Sequence, residues 1–544
     1  MENKIWWKNA VIYQIYPRSF MDSNNDGIGD LRGIIDKLDY LAWLGVDAVW
    51  LSPVYKSPND DNGYDISDYM DIMDEFGTMA DMEELIEKAK EKNIRIIMDM
   101  VFNHTSDEHK WFIEAKKSKD NSYRDYYIWR DPVAGKEPNE LGSIFSGSAW
   151  QFDEASGQYY LHFFSKRQPD LNWENEEVRK NIADVVKFWL DKGVGGFRLD
   201  MIELLGKVPD EMIGANGPKL HDYIKELYAN GFNARGDGEE IVTIGECWAA
   251  DTNIALQYTN PENKELSMVF QFEHSALDEI PGKGKWALKD MELADLKKVF
   301  NKWQMEYNKG WNTLFWNNHD LPRIVSRFGN DKEYRVESAK MLALYLYGLK
   351  GTPFIYQGEE IGMTNVRFDN ISDYRDVELL NMYKEKIEQG EKPEDIMKSI
   401  YAKGRDNART PMQWNDEKNA GFTFGTPWIA VNDNYKEINV KKAMEDDNSV
   451  LHFYQKLIKI RKDIACIRYG DYKPLLNDDG DIASYVRNYN GQAILVIANF
   501  HNCSRIINIP DIVAKKVIIS NYEIDEINLQ KLEIRPYEAI MFEI

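Results

Sequence analysis

The chain has 544 residues, roughly three to five domains' worth or one large barrel with additions, and ample for an extensive core. With 91 acidic against 67 basic residues its net charge is −24, which argues against nucleic acid and anionic membrane surfaces as partners, since both need a basic face. Hydrophobic residues make up 43%, so wholesale disorder is excluded as well. Short apolar runs then alternate with amphipathic stretches, the pattern of βα units around a parallel sheet. In chain order the expected strands are 10–16, 48–53, 94–101, 195–201, 241–247, 267–274, 313–320 and 352–358. Helical spacing marks 79–92 and 175–192, the latter with an acidic first turn and apolar Val178, Ile182, Val185, Val186 and Leu190. Eight strands with helices between them predict an α/β fold, a (β/α)8 TIM barrel.

Two gaps are too long for simple loops. Residues 104–173 separate the third and fourth strands and are rich in Trp, Tyr and Gly, so an ordered inserted domain is expected there. A second insertion, about 359–428, follows the eighth strand and carries a charged helical stretch at 373–389. The barrel itself is expected over 1–103 and 174–464. From 465 to 544 the pattern turns to short strands, and Asn490-Gly491 between two apolar runs signals a type I′ hairpin, so a C-terminal antiparallel β domain, a small sandwich, is expected.

Three cysteines, Cys247, Cys466 and Cys503, make neither a disulfide framework nor a zinc pattern and fit a reducing compartment. The first eight residues lack the apolar run of a signal peptide, and the best apolar run, near 341–349, is far short of the roughly 18–20 residues that span a bilayer. The expectation is a cytoplasmic protein, a monomer, with no nucleic-acid or membrane partner.

Barrels carry their reactive groups at the C-terminal ends of the strands. Here strand three runs into Asp99 to His104, strand four ends at Arg198 and Asp200, strand five at Glu246, and strand seven at His319 and Asp320. Arg198 and Asp200 are two apart and share a side of their strand, where a guanidinium favours an ionised carboxylate, the state a glycosyl nucleophile needs. A structural ion pair explains the same spacing equally well. Glu246 ends an apolar strand, and partial burial there favours the protonated form that a general acid uses. His104 and His319 are candidates to donate hydrogen bonds to substrate hydroxyls. Zinc-protease, GxSxG and P-loop patterns do not occur. Cys247 faces away from Glu246 and is expected to be buried and inert.

One loop has the start of an EF-hand-like pattern: Asp22, Asn24 and Asp26 at alternate positions, then Gly27, Ile28 and Asp30. A twelfth-position Glu is missing, Gly33 standing there. Such oxygen ligands suit Ca2+, with Mg2+ as the alternative; the bland reading is a solvated turn.

The motifs VIYQIYPRSFMDSNNDGIGDL, GVDAVWLSPVY, DNGYD, DMVFNHTSDEH, QPDLNW, GFRLD, TIGECW, FWNNHDLPR, GTPFIYQGEEIGM and GRDNARTPMQW together resemble the α-amylase superfamily, glycoside hydrolase family 13, over nearly the whole chain. Within it they look most like the oligo-1,6-glucosidase and dextran glucosidase (glucan 1,6-α-glucosidase) group. The resemblance implies a retaining exo-α-glucosidase acting on isomaltose, isomaltotriose, panose-like sugars and short dextrans. It implies Asp200 as nucleophile, Glu246 as general acid/base and Asp320 as the third carboxylate. It further implies a glucose subsite made of Asp61, Tyr64, His104, Arg198, His319 and Arg409, with Asp61 and Arg409 closing the pocket. Lys285 and Glu378 match positions that contact the next sugar. The loop of Asp22, Asn24, Asp26, the Ile28 carbonyl and Asp30 matches a structural Ca2+ site, and no organic cofactor is implied. After the nucleophile the group commonly has Val in α-1,6 enzymes and Thr or Ala in α-1,4 enzymes; Met201 fits neither. Alternatives within the resemblance are an α-1,4- or mixed-specificity α-glucosidase, a trehalose-6-phosphate hydrolase, and a glucosyl isomerase. A non-catalytic transporter subunit is disfavoured by the three carboxylates.

Overall fold

The computed structural model describes residues 5–234, 240–524 and 526–544. All eight expected strands are present: β1 (Ile12–Ile15), β2 (Ala48–Leu51), β3 (Arg95–Val101), β4 (Gly196–Asp200), β5 (Val242–Glu246), β6 (Met268–Phe270), β7 (Thr313–Leu314) and β8 (Thr352–Tyr356). They pair in parallel in the order β6-β5-β4-β3-β2-β1-β8-β7. The two end strands meet where Thr313 Oγ1 donates to the Val269 carbonyl at 3.0 Å, which brings the sheet round to a barrel. Every strand is shorter than its apolar run. The difference is largest for β6 and β7, expected at 267–274 and 313–320: the chain leaves the sheet early, and the remaining apolar residues fill the barrel mouth rather than pair. Phe272 and Phe315 are examples, each buried within the barrel interior.

The helices begin where side chains cap them. Thr78 and Asp81 form a capping box ahead of Met79–Glu91. Asn175 caps Glu176–Asp191, whose buried face carries Val178, Ile182, Val185, Val186 and Leu190 as the spacing predicts. The helix expected at 373–389 starts later, at Val377, because Asp376 caps it by accepting from the Glu378 N–H. A second helix, Pro393–Lys403, packs beside it around Leu379, Met382, Ile396 and Ile400.

After β3 the chain makes a three-stranded antiparallel sheet of Trp129–Arg130, Gln158–Leu161 and Trp150–Asp153. The way in and the way out lie side by side, since Leu171 N–H donates to the Asn103 carbonyl at 2.9 Å and Thr105 N–H to that of Pro169 at 3.2 Å. The excursion has its own apolar core, including Phe145, Trp150, Leu161, Phe163 and Phe164, and Leu204 of the barrel joins it. It therefore forms one wall over the C-terminal end of the barrel.

The C-terminal part is a five-stranded antiparallel sheet, in the order Asp471–Leu475, Ile482–Tyr489, Gln492–Asn499, Ala539–Glu543 and Lys516–Ser520, with a two-stranded ribbon, Arg505–Ile507 and Leu532–Ile534. Asn490 (φ 48°) and Gly491 (φ 82°) turn the expected hairpin with both residues left-handed, as type I′ requires. One face packs on the barrel helix Arg335–Tyr347, where Tyr345 meets Tyr485 and Phe500, and the Tyr485 hydroxyl donates to the Tyr345 carbonyl at 2.6 Å. Lys297 of the barrel donates to the carbonyls of Leu476 and Asp479, both at 2.6 Å, and buried Arg487 donates to Gln304 Oε1 at 2.9 Å.

Candidate active site

A cavity of about 440 Å³ opens at the C-terminal end of the barrel. Of the residues expected to form the site, Asp61, Tyr64, His104, Asp200 and Met201 line it. So do Glu246, Lys285, Asp320 and Glu378. Arg198, His319 and Arg409 stand behind the lining, each nearly fully buried, and hold the lining residues in place.

Arg198 is the centre of the arrangement. It is 1% exposed, and its Nη1 donates to Asp99 Oδ1 at 2.7 Å and to Asp200 Oδ1 at 2.9 Å. Its Nη2 donates to Glu246 Oε2 at 2.5 Å. One guanidinium thus gathers the ends of β3, β4 and β5. Asp99 is also fixed by the Trp50 indole and the Tyr64 hydroxyl, both at 3.0 Å. Burial pushes the Asp200 carboxyl well above the usual range, and although Arg198 opposes this, Glu246 and Asp99 push it further. Three carboxylates thus surround one guanidinium, which holds Asp200 and Glu246 in a single hydrogen-bonded frame.

The chain turns sharply after Asp200. Met201 has φ 40° and ψ 45°, a left-handed conformation, and its N–H donates to Glu246 Oε2 at 3.2 Å. Asp320 is held by a different set. Burial alone would raise its carboxyl, but His319, Arg405 and Arg409 outweigh that and hold it well below the usual range. The contacts are His319 Nε2 at 3.1 Å, Arg409 Nη2 at 2.8 Å and Arg405 Nη1 at 3.3 Å. Gln14 Nε2 lies 2.9 Å from His319 Nδ1, which leaves Nε2 to carry the ring proton, shared between the Tyr64 hydroxyl at 2.7 Å and Asp320 at 3.1 Å. The Tyr64 ring stacks on that imidazole, 5.2 Å between centroids and 6° from parallel. His104 is pushed down to about 4 by burial and is neutral at pH 7; its Nε2 lies 3.1 Å from the Tyr64 carbonyl.

One pairing differs from the expectation. Asp61 faces Arg405, whose Nη2 is 3.5 Å from Asp61 Oδ1, and Arg405 lines the cavity. Arg409 lies deeper, with Nε on the His319 carbonyl at 3.0 Å. The two arginines are four apart in GRDNARTP, and the sequence offers no sign of which one reaches inward. Burial raises Asp61 to about 7 against the opposing pull of Arg405 and Arg409. Lys285 Nζ donates to Glu378 Oε2 at 2.6 Å, and Arg405 Nε lies 3.4 Å from that same oxygen. Other residues were also missed by sequence reasoning. Gln168, in QPDLNW, lies 3.3 Å from Asp61 and 3.1 Å from His104 Nε2. Glu203 and Trp248 flank the cavity just past GFRLD and TIGEC, and Phe145 and Phe164 supply an apolar wall that composition could not locate. Cys247 is fully buried, and burial pushes its thiol well above the usual range, as an inert group requires.

The loop at 22–30 is folded on itself. Asp22 accepts from the N–H groups of Asn24, Asn25 and Gly27, Asp26 from Ile28, and Asp30 from Ser23 and Gly33. Among the described residues no group of three or more His, Cys, Asp or Glu side chains is arranged to hold a metal. No helix there is long and apolar enough to cross a membrane.

Residues 14–470 match the alpha-amylase catalytic domain, and 482–541 the C-terminal domain of the alpha-amylase SusG. The chain is 57% identical to an oligo-1,6-glucosidase of Parageobacillus thermoglucosidasius, over 99% of each chain. It is 54% identical to a glucan 1,6-alpha-glucosidase of Streptococcus pneumoniae serotype 4, again over 99% of each. Among solved structures it is similar to the trehalose-6-phosphate hydrolase of Bacillus licheniformis, with a TM-score of 0.94 and 48% identity over 99% of both chains.

Proposed function

The chain belongs to the alpha-amylase family, glycoside hydrolase family 13, and from that premise we propose that it is a retaining exo-α-glucosidase releasing terminal α-1,6-linked glucose from isomalto-oligosaccharides and short dextrans. The observation that carries the mechanism is the sharing of Arg198 by Asp200 and Glu246. Retention needs two carboxyl groups roughly 5 Å apart, one nucleophilic and one protonated. In this reading Glu246 serves as the acid and Asp200 as the ionised nucleophile, whose charge Arg198 favours against burial. Asp200 attacks the anomeric carbon while the bond to the leaving oxygen breaks, and Glu246 gives that oxygen its proton. Glu246 then takes a proton from water as the water oxygen attacks the same carbon, the glucosyl ester breaks, and Asp200 is regenerated. Asp320, held ionised by two arginines and His319, grips sugar hydroxyls and stabilises the distorted ring.

Exo action is supported by the closed end of the cavity. Asp61, Arg405 and Asp320 form a charged cluster there, so the terminal glucose meets a wall rather than an open cleft. A phosphorylated disaccharide is disfavoured by charge. Lys285 and Arg405, the cations lining the cavity among the described residues, are already paired with carboxylates. The α-1,6 preference over α-1,4 rests on the similarity to the two 1,6-glucosidases. A panel of isomaltose, isomaltotriose, maltose, sucrose, trehalose-6-phosphate and p-nitrophenyl α-glucoside, compared by kcat/KM, tests it. Isomaltose is expected to lead maltose, and the reverse order would overturn the preference.

The Asp22–Asp30 loop is proposed as a structural Ca2+ site, Mg2+ being the competitor. Its donors are all oxygen, and Asp22 Oδ2, Asp26 Oδ1 and Asp30 Oδ1 each accept a single loop N–H and keep a further lone pair for a cation. Gly27 is left-handed (φ 96°), and the Thr426 carbonyl fills the space a Cβ would take, so the tight turn admits only glycine. Asp22, Asn24, Asp26, the Ile28 carbonyl and Asp30 would hold the ion, which would supply rigidity and no catalytic step. The three cysteines are free thiols, which supports a reducing, cytoplasmic setting. The substrate is neutral and the protein is read as a monomer.

A further inference from the structure

Glu203 has no task in the mechanism above, yet it is 3% exposed and lines the cavity. It sits on the short helical turn Ile202–Gly206 that follows Asp200 and Met201. Its carboxylate reaches across to the loop after β5. Oε1 accepts the Trp248 N–H at 3.1 Å, and Oε2 accepts the Ala249 N–H at 3.2 Å and Asn216 Nδ2–H at 3.3 Å. Asn216 is itself fixed by the Tyr258 hydroxyl, 2.6 Å from its Oδ1. A buried carboxylate bonded to two successive backbone N–H groups dictates the path of that turn.

The turn aims Trp248. Its indole N–H donates to Glu246 Oε1 at 3.0 Å, and its ring lies flat on Phe272, 3.9 Å away and 7° from parallel. The other oxygen of Glu246 is occupied by Arg198 and the Met201 N–H. A side chain 44% exposed at the rim would otherwise be free to swing away. Resting on the reading of Glu246 as acid/base, we propose that Glu203 is a positioning residue: it clamps the 248–249 turn so that the Trp248 indole sets the orientation and proton affinity of Glu246.

A hydrogen bond to the ionised carboxylate lowers its proton affinity, so losing the indole N–H raises it. The charged groups facing Glu246 are Arg198 and Asp200 of β4, Asp99 of β3 through Arg198, and Glu203 itself. Cys247 beside it stays a neutral thiol. The test must hold Glu203's charge constant, which Glu203→Asp does while withdrawing the carboxylate from the turn. The measurement is the pH profile of kcat/KM on isomaltose for wild type, Glu203→Asp, Trp248→Phe and the double variant, with Glu246→Gln as reference. Trp248→Phe is expected to move the alkaline limb up by about one pH unit, the usual strength of a hydrogen bond to a charged group. Glu203→Asp is expected to move it the same way, and the double variant no further. An unmoved limb in either single variant, or additive shifts in the double, overturns the proposal, even if Glu203→Asp lowers Tm. Should Glu203→Asp not fold, Asn216→Ala, which strips a donor from the Glu203 carboxylate without changing its charge, takes its place, and an unmoved limb there overturns the proposal. Wild-type turnover by Glu246→Gln would instead remove the acid/base reading, and this proposal with it.

Discussion

Arg405 and Asp61 face each other at 3.5 Å across the closed end of the cavity, one from the insertion after β8 and one from the loop after β2. Asp61 is raised to about 7, above the ordinary carboxylate value of 3.8, because burial outweighs its arginine neighbours. A raised carboxyl adds stability below its unfolded pKa, and that contribution is lost as pH climbs through the folded one. Asp61→Asn should therefore melt at the wild-type temperature near pH 4 and about 3 °C higher above pH 7. The same variant should lose at least about tenfold in kcat/KM on isomaltose, because the terminal glucose loses an acceptor. Arg405→Ala should lose more, since it also frees Asp320 and strands Asp376, to which its Nη2 donates at 2.5 Å. Melting curves at the two pH values and steady-state kinetics check both.

Asp200→Ala should abolish hydrolysis, by about 10⁴-fold or more, while circular dichroism shows an intact fold. Near-wild-type turnover would overturn the nucleophile assignment. Glu246→Gln should be far more damaging on isomaltose than on p-nitrophenyl α-glucoside, whose leaving group needs little protonation.

Met201 bears on linkage. Its side chain lines the cavity, and its backbone is left-handed, a conformation that β-branched side chains resist. Met201→Val should cost about 1 kcal/mol of stability through that strain, visible as a lower Tm. Met201→Thr carries the same strain and should also lower the isomaltose-to-maltose ratio of kcat/KM by about tenfold. A ratio unchanged in both variants would mean that the side chain does not read the linkage.

Chelation tests the loop at 22–30. With a bound ion, EDTA should lower Tm and added Ca2+ should restore it more fully than Mg2+ at equal concentration. An unchanged Tm after prolonged chelation would leave the solvated turn as the account of these residues.

Much of this was legible in the sequence because it is local. An apolar run ending in an ionisable residue makes a barrel strand whose last side chain meets the cavity, and Asp200 and Glu246 follow that rule, while Asp320 reaches the cavity from the segment past the end of β7. Asn490-Gly491 fixes its hairpin through two left-handed residues in a row. What stayed hidden depends on which of two similar groups reaches a common point. Arg405 and Arg409 bracket a single helical turn, and the bonds of Arg409 to the His319 carbonyl and Asp320 hold it deeper than Arg405. Glu203 and Trp248 are 45 residues apart and meet because β4 and β5 are neighbours. The strand ends at 267–274 and 313–320 were overdrawn because phenylalanine suits a strand and a barrel interior equally.

The seam between the barrel and the C-terminal sheet has a consequence for the whole chain. Lys297, Gln304 and the Tyr345 carbonyl all find partners across it, and Arg487 is buried there among carbonyls, tyrosines and an amide. Severing the sheet would leave those polar groups without partners and an apolar helix face open to water, a loss no rearrangement of the barrel could make good. The sheet is thus a keystone rather than an ornament: heat should dismantle both parts in one calorimetric transition, and a shortened chain should accumulate as aggregate instead of a smaller working enzyme.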